Sequence, residues 1–348
     1  MNWRRDLRLK LPPISHLEVE SFSSPLTYIG AAGFEDRATS FLDLVISKNM
    51  RIENAIAIEY RPYDQTNRIE LFKEKLSDVN AYSTWAIFDR YDPQKFSKAI
   101  IPTLESLGSG RILVDVSAMS KFLVMIILQA LRDKPNPLTI VYTEADVYHP
   151  TKEEFELKRK GLGTVPDFLT TDVYKILAVT SLSSVSMQSY PILLLAFPTF
   201  NRTEIVALYN ELSPKCMILF EGTPHEEQDR WRLEGIREIN KRITTNPDYA
   251  IEQKVLSTFD YATNVEMLED VYREYSFTHK IVLSPTGSKL QTVAAFMFKQ
   301  LRPDVQVVYP VTRSFIGEYS EKCRALWSIS FDSFSEFIRS LDSYRKQT

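Results

Sequence analysis

Histidine and cysteine are scarce in this chain of 348 residues, with four of the first and two of the second. Cys216 and Cys323 form no CxxC pair and build no disulfide framework, which fits a reducing cytosol. His16, His149, His225 and His279 are scattered, and only His225 falls in a loop where a ligand is expected. There it precedes Glu226 and Glu227, a pattern that suits a base or a metal ligand but equally the start of a solvated helix. No catalytic constellation stands out, so the sequence assigns no catalytic residue, no metal and no cofactor. A charge excess of one sign is missing too: 42 basic residues stand against 45 acidic ones, a net of −3. Duplex DNA is therefore not an expected partner, although a local basic groove is compatible with that balance. The longest apolar run, Phe122 to Leu128, is far too short for a bilayer, and Met1-Asn-Trp-Arg-Arg-Asp lacks the apolar stretch of a signal peptide. The expectation is a cytoplasmic protein with no membrane partner. Helix-turn-helix, zinc-ribbon and low-complexity patterns are absent as well.

What the chain does contain is a regular alternation of short apolar runs and apolar-periodic helices. Residues 1–24 carry Pro12-Pro13 and many charges and read as an N-terminal arm. Leu26 to Gly30 is the first strand, and its turn runs through Gly33, Phe34 and Arg37 into a helix reaching about Ser47. Further strands are predicted at Ala55 to Glu59, Thr84 to Phe88, Arg111 to Asp115 and Leu138 to Tyr142, with a helix between each pair. Such alternation predicts a parallel sheet covered on both faces.

The second half repeats the order. Ile192 to Ala196 answers the first strand, Met217 to Glu221 the second, Val255 to Phe259 the third, Ile281 to Ser284 the fourth and Val305 to Tyr309 the fifth. Lys175 to Thr180 and Ala325 to Ser330 each read as a sixth strand. The serine-rich stretch Ser181 to Ser189 marks a boundary, giving domains at 25–185 and 186–348. The predicted fold class is α/β, with two tandem Rossmann-like, doubly wound domains whose sheets are mainly parallel.

Ligands of open α/β sheets bind beyond the C-terminal ends of the strands. The loop Ser284-Pro285-Thr286-Gly287-Ser288-Lys289 is the sharpest such signal. Gly287 lets backbone N–H groups approach a phosphate, and Thr286, Ser288 and Lys289 add donors. The other reading is that the hydroxyls only cap a helix. The pattern GxxxxGK[ST] is absent, so this is not a Walker loop. Its counterpart, Asp115 to Lys121, offers Ser117, Ser120 and Lys121 but lacks the glycine, and Asp115 would repel an anion; a ribose hydroxyl or a role at the interface between domains suits it as well. Gly30-Ala-Ala-Gly33 is an incomplete dinucleotide fingerprint. Phe34 with Arg37, and Phe200 with Arg202, recur at equivalent positions. A base-stacking ring and a phosphate-holding guanidinium would account for them, as would arginines paired with Glu59 or Glu221.

The arrangement strand, Leu283-Ser284-Pro285-Thr286-Gly287-Ser288-Lys289, helix resembles the CARF family of CRISPR-associated Rossmann-fold sensors. In that family the loop after the fourth strand carries a Thr-Gly-Gly-Thr-Lys-like motif and contacts cyclic oligoadenylate. Here Ser288 stands for the Gly-Thr pair, and Pro285 precedes the threonine. The loop after the first strand supplies a further contact, with Pro198 to Arg202 as the positional match. The resemblance covers the second half and, by topology alone, the first. It implies a nucleotide-sensing, regulatory binding protein for a cyclic oligonucleotide or other nucleotide second messenger in prokaryotic antiviral defence, with a protein partner in a defence complex as a further expectation. Two alternatives stand beside it: an enzyme hydrolysing a nucleotide or phosphorylated small molecule, and a structural subunit whose ligand sites are degenerate. Family members usually carry a nuclease or DNA-binding effector, and this sequence contains none that can be read.

Overall fold

The computed structural model describes residues 3–19, 22, 25–162, 172–314 and 319–347. The chain begins with α1 (Trp3–Arg8) and β1 (Ser15–His16), then β2 (Leu26–Ala32), α2 (Ser40–Ser47), β3 (Asn54–Arg61), α3 (Ile69–Asp78), β4 (Tyr82–Asp89) and α4 (Pro93–Glu105). It continues through β5 (Arg111–Asp115), α5 (Lys121–Leu131), β6 (Leu138–Glu144), β7 (Val147–Tyr148), α6 (Lys152–Leu162), β8 (Val173–Leu177), β9 (Ile192–Ala196) and α7 (Arg202–Leu212). Next come β10 (Cys216–Thr223), α8 (Trp231–Thr244), β11 (Ile251–Ser257), α9 (Tyr261–Tyr275), β12 (Lys280–Ser284), α10 (Lys289–Leu301), β13 (Gln306–Val307) and β14 (Tyr309–Thr312). The last elements are β15 (Ser320–Glu321), β16 (Ala325–Phe331) and α11 (Phe334–Gln347). No helix among the described residues is long and apolar enough to cross a membrane.

Two compact units result, residues 1–148 with 320–348, and residues 149–319. The serine-rich stretch Ser181 to Ser189, where the sequence suggested a boundary, lies inside the second unit. Each unit is an α/β layer structure with the same strand order. In the first, β4-β3-β2-β5-β6 are parallel neighbours; in the second, β11-β10-β9-β12-β13 are. Read in chain order, both sheets run third, second, first, fourth, fifth. The order reverses between β2 and β5 and between β9 and β12, which makes those two crevices the places for a ligand.

Burial explains why the central strands read as continuous apolar runs: β2 and β6 are buried at every position, and β9 at all but Ile192. The helix α10 is buried from Leu290 to Leu301. Its far end is fixed by Lys299, whose Nζ donates to the carbonyls of Pro303 at 2.6 Å and Val305 at 2.8 Å. Arg302 pairs there with the fully buried Glu269 of α9 at 2.8 Å.

The sixth strands differ from expectation. The strand at Ala325 to Ser330 belongs to the first unit: β16 runs antiparallel along β6, from Phe331 beside Leu138 to Ala325 beside Glu144. Conversely, β8 lies in the second unit, antiparallel to β14. An apolar β6 left as an outer strand would expose unpaired backbone, and β16 covers it. Trp327 Nε1 donates to Glu144 Oε2 at 3.0 Å, and the hydroxyls of Thr139 and Ser330 meet at 3.0 Å. The N-terminal arm completes the same edge. In it β1 pairs with β16, the His16 ring stacks on Trp327 at 3.9 Å, and Leu7, Leu11 and Val19 are buried.

Candidate functional site

In the second unit the neighbouring strands β9 and β12 end together, with Ala196 beside Ser284. Their loops are tied by Thr286, whose Oγ1 donates to the Phe197 carbonyl at 2.8 Å and accepts the Phe197 N–H at 3.1 Å. Gly287 has no room for a side chain, because a Cβ would collide with Gln291 Oε1 and press on Phe197 Cβ at 3.0 Å. Ser288 caps α10: its Oγ accepts from Gln291 N at 3.1 Å and donates to the Thr258 carbonyl at 2.6 Å. Gln291 returns the contact, its Oε1 accepting the Ser288 N–H at 2.8 Å while Nε2 donates to the Ser257 carbonyl at 3.2 Å. This is a complete capping box. The Ser288 hydroxyl is thus a helix cap, whereas that of Thr286 ties the two loops together.

Three further groups belong to these loops. Lys289 is the first residue of α10 and half-buried. Arg202 is the first residue of α7 and also half-buried. Ser284, at the end of β12, is fully buried, and its Oγ has no hydrogen-bond partner among the described residues. A buried hydroxyl without a partner is rare enough to need an explanation. Phe200 sits elsewhere: it is a core residue, 6.0 Å from the ring of Phe155 and 5.9 Å from that of Trp231, with the Arg232 guanidinium 4.7 Å from its centre. A ring enclosed in this way has no face left for a base.

The first unit uses the same frame differently. Asp115, at the end of β5, accepts from Tyr28 OH at 3.1 Å and from Ser117 N at 3.0 Å. Burial pushes its carboxyl up to about 6, against the hydrogen bonds from Ser117 and Tyr28. Ser117 Oγ donates to Asp115 and accepts the Thr143 N–H at 2.8 Å. Ser120 caps α5 through Leu123 N at 3.2 Å, and its own N–H donates to Tyr60 OH at 2.6 Å. Tyr60 in turn donates to the Ala118 carbonyl at 3.2 Å. A side-chain oxygen thus occupies the amide that an anion would seek at this helix start. Gly33 closes the crevice, since a Cβ there would lie 3.0 Å from Ala118 Cβ. Lys121 starts α5 and is half-buried.

Arg37 is buried and pairs with Glu35, while Nη1 donates to the Thr143 carbonyl at 3.3 Å. Ser320 Oγ completes the cluster by donating to Glu35 at 2.9 Å. A phosphate-holding role for Arg37 gives way to this ion pair, because a buried guanidinium needs a counter-charge within its own fold. Its partner is not Glu59, which meets Arg61 at 2.8 Å. Nor does Arg202 pair with Glu221, which takes Arg237 at 2.8 Å and Gln253 at 2.6 Å. Phe34 is half-buried beside the cluster in sequence. His225 pairs with Glu226 at 3.0 Å and lies 4.3 Å from the Phe259 ring.

Sequence reasoning named the loops but missed Gln291, Tyr60 and Tyr28. The first was readable, since Ser288-Lys-Leu-Gln291 fits the capping-box spacing. The two tyrosines act from strands remote in sequence, and no local signal marks them.

No protein-family model matches the chain, and no curated protein matches it. Among solved structures, a type III CRISPR defence DNA nuclease activated by cyclic oligoadenylate shares the fold over 82% of this chain, at 12% identity and a TM-score of 0.52. The chain spans 65% of that nuclease's length. The cytoplasmic domain of a prokaryotic cation chloride cotransporter aligns with 84% of the chain and 96% of its own, at 9% identity and a TM-score of 0.24. A universal stress protein from Archaeoglobus fulgidus DSM 4304 aligns with 82% of the chain and 96% of its own, at 11% identity and 0.23. The last two carry no argument about this chain.

Proposed function

We propose that the protein is a nucleotide-sensing module of prokaryotic antiviral defence, acting in the cytoplasm, and that its ligand is a cyclic oligonucleotide. One observation carries the reading. At the crevice of the second unit the two neighbouring strands β9 and β12 each feed a helix whose first residue is a cation, Arg202 on α7 and Lys289 on α10. Two helix starts and two cations beside one crevice suit phosphate groups. The fold shared with a nuclease activated by cyclic oligoadenylate supports the choice of ligand class. Ser284 supplies a buried hydroxyl for the same crevice.

The first unit favours a second reading for itself, that of a degenerate site. Tyr60 fills the amide position at α5, and Asp115 brings an acid to the crevice. A protein partner in a defence complex is part of this proposal, as the resemblance to CRISPR-associated sensors implies.

Calorimetric titration with cyclic tri-, tetra- and hexaadenylate, followed by mass spectrometry of the recovered ligand, tests the proposal. Saturable binding with intact ligand is the expected result. Turnover would favour the nucleotide-hydrolase alternative, and no binding by any cyclic oligonucleotide would leave the structural-subunit reading.

A further inference from the structure

Among the described residues, three of the four edges of the two large sheets are protected. In the first unit, β1 covers the outer side of β16. In the second, β13 is only two residues long, and β11 carries the paired charges Glu252 and Lys254. Short strands and edge charges are what keep a sheet from pairing with another chain. The remaining edge, β4, is long and carries a charge only at its last residue, Asp89. It spans eight residues, and from Tyr82 to Phe88 it holds no charge, no proline and no glycine. No strand among the described residues pairs with its outer side.

Backbone parity shows which groups are left open. Tyr82 N donates to the Glu53 carbonyl and Arg90 N to the Arg61 carbonyl, each at 3.0 Å, so even-numbered residues face β3. Ser83, Trp85 and Ile87 therefore direct their N–H and C=O groups outward. Two apolar side chains along this strand are in the open, Tyr82 at 75% and Ile87 at 57% exposed, while Trp85 is half-buried against Phe72.

We infer that β4 is a homodimer interface, pairing antiparallel with β4 of a second copy about a twofold axis at Trp85. The pattern is self-complementary about that residue. Ser83 then faces Ile87 of the second copy, and Trp85 faces its own equivalent, so every outward backbone group from Ser83 to Ile87 finds a partner. On the other face Thr84 meets Ala86 of the second copy, while Phe88 stays buried in its own unit against Tyr60 and Phe96. Aromatic and β-branched pairs of this kind stabilise antiparallel strands, and no like charges are brought together. A twofold contact of one surface with itself also closes, leaving no further edge for fibre growth. A foreign peptide would need its own sequence to match, whereas a second copy matches already.

Sedimentation velocity of the full chain over a micromolar concentration series tests the inference. Wild type is expected to dimerise, and Ile87→Lys to weaken the dimer at least about ten-fold while leaving the thermal midpoint unchanged. Val255→Lys on β11 is the control and should dimerise as wild type does. The register is read by oxidation: Thr84→Cys with Ala86→Cys should give a covalent dimer on non-reducing gels, and either single variant should not. A monomer at every concentration, including one whose β4 takes up a foreign strand, overturns the inference. So does a dimer that Ile87→Lys leaves intact.

Discussion

Thr286 holds both backbone polar groups of Phe197, donating to its carbonyl at 2.8 Å and accepting its N–H at 3.1 Å. The residue joins the ends of β9 and β12, the two strands between which the sheet order reverses. Its hydroxyl has spent its donor and one acceptor position inside the fold, so its contribution to any ligand is to keep the crevice in shape. Thr286→Val preserves the volume but strands two buried backbone groups of Phe197. The expected cost is about 1–3 kcal/mol in chemical denaturation. Thr286→Ser keeps the hydroxyl and should recover most of that loss. If the two variants are equally stable, the double contact contributes nothing.

Gly287 and Gln291 occupy one small volume. A Cβ on Gly287 would overlap Gln291 Oε1, the atom that accepts the Ser288 N–H. Gly287→Ala should therefore break the capping box and cost on the order of 1 kcal/mol, the usual worth of a helix cap. In Gly287→Ala with Gln291→Ala the collision is gone, so the double variant should cost less than the sum of the two single changes. Strict additivity in thermal or urea melts would show that the two side chains do not share the space.

Lys289 is the test of the nucleotide site. If it meets a phosphate, Lys289→Ala removes a charge-assisted contact worth about 1.5–3 kcal/mol, a loss of about ten- to hundred-fold in affinity. Thermal stability should be unaffected, since a half-buried lysine at the start of α10 adds little to the core. Lys121→Ala, at the start of α5, should leave affinity as it was, because Tyr60 already fills that helix start. Calorimetry with cyclic tetraadenylate on wild type and both variants gives the comparison, and equal affinities for all three would remove Lys289 from the site.

Much of the architecture was legible because element type is a local property. The strand at Ile281 to Ser284, the glycine turn and the helix to Leu301 lie where the apolar periodicity put them, as β12 and α10. The third strand of the second half was placed late, at Val255 to Phe259, whereas β11 is Ile251–Ser257. An edge strand half open to water carries Glu252, Gln253 and Lys254 and so reads as a loop. The partner of β16 was illegible for another reason: periodicity names a strand but not the sheet edge that needs it. The site residues divide along the same line. Ser288 as a cap follows from spacing, but Arg37 reads as an exposed loop cation until Glu35 and Ser320 are seen around it. Burial of Phe200 depends on Phe155 and Trp231, which no local pattern connects to it.

Asp115 makes the pH dependence of folding testable. Burial raises its carboxyl from the ordinary 3.8 to about 6, and hydrogen bonds from Ser117 and Tyr28 offset only part of that rise. The native state therefore keeps a proton that the unfolded chain has already released. Between those two values the native state binds more protons than the unfolded state, so stability falls as pH rises. The penalty is absent below about pH 4 and complete above about pH 6, and a shift of roughly two units corresponds to on the order of 3 kcal/mol. Asp115→Asn keeps an oxygen for Ser117 and cannot ionise. Its stability relative to wild type should therefore increase by that amount between pH 4 and pH 7, whatever constant offset the amide introduces. Urea denaturation of both proteins across this range measures the difference. A difference that stays flat with pH would mean that Asp115 is ionised throughout, held by Tyr28 and Ser117 more firmly than its burial opposes.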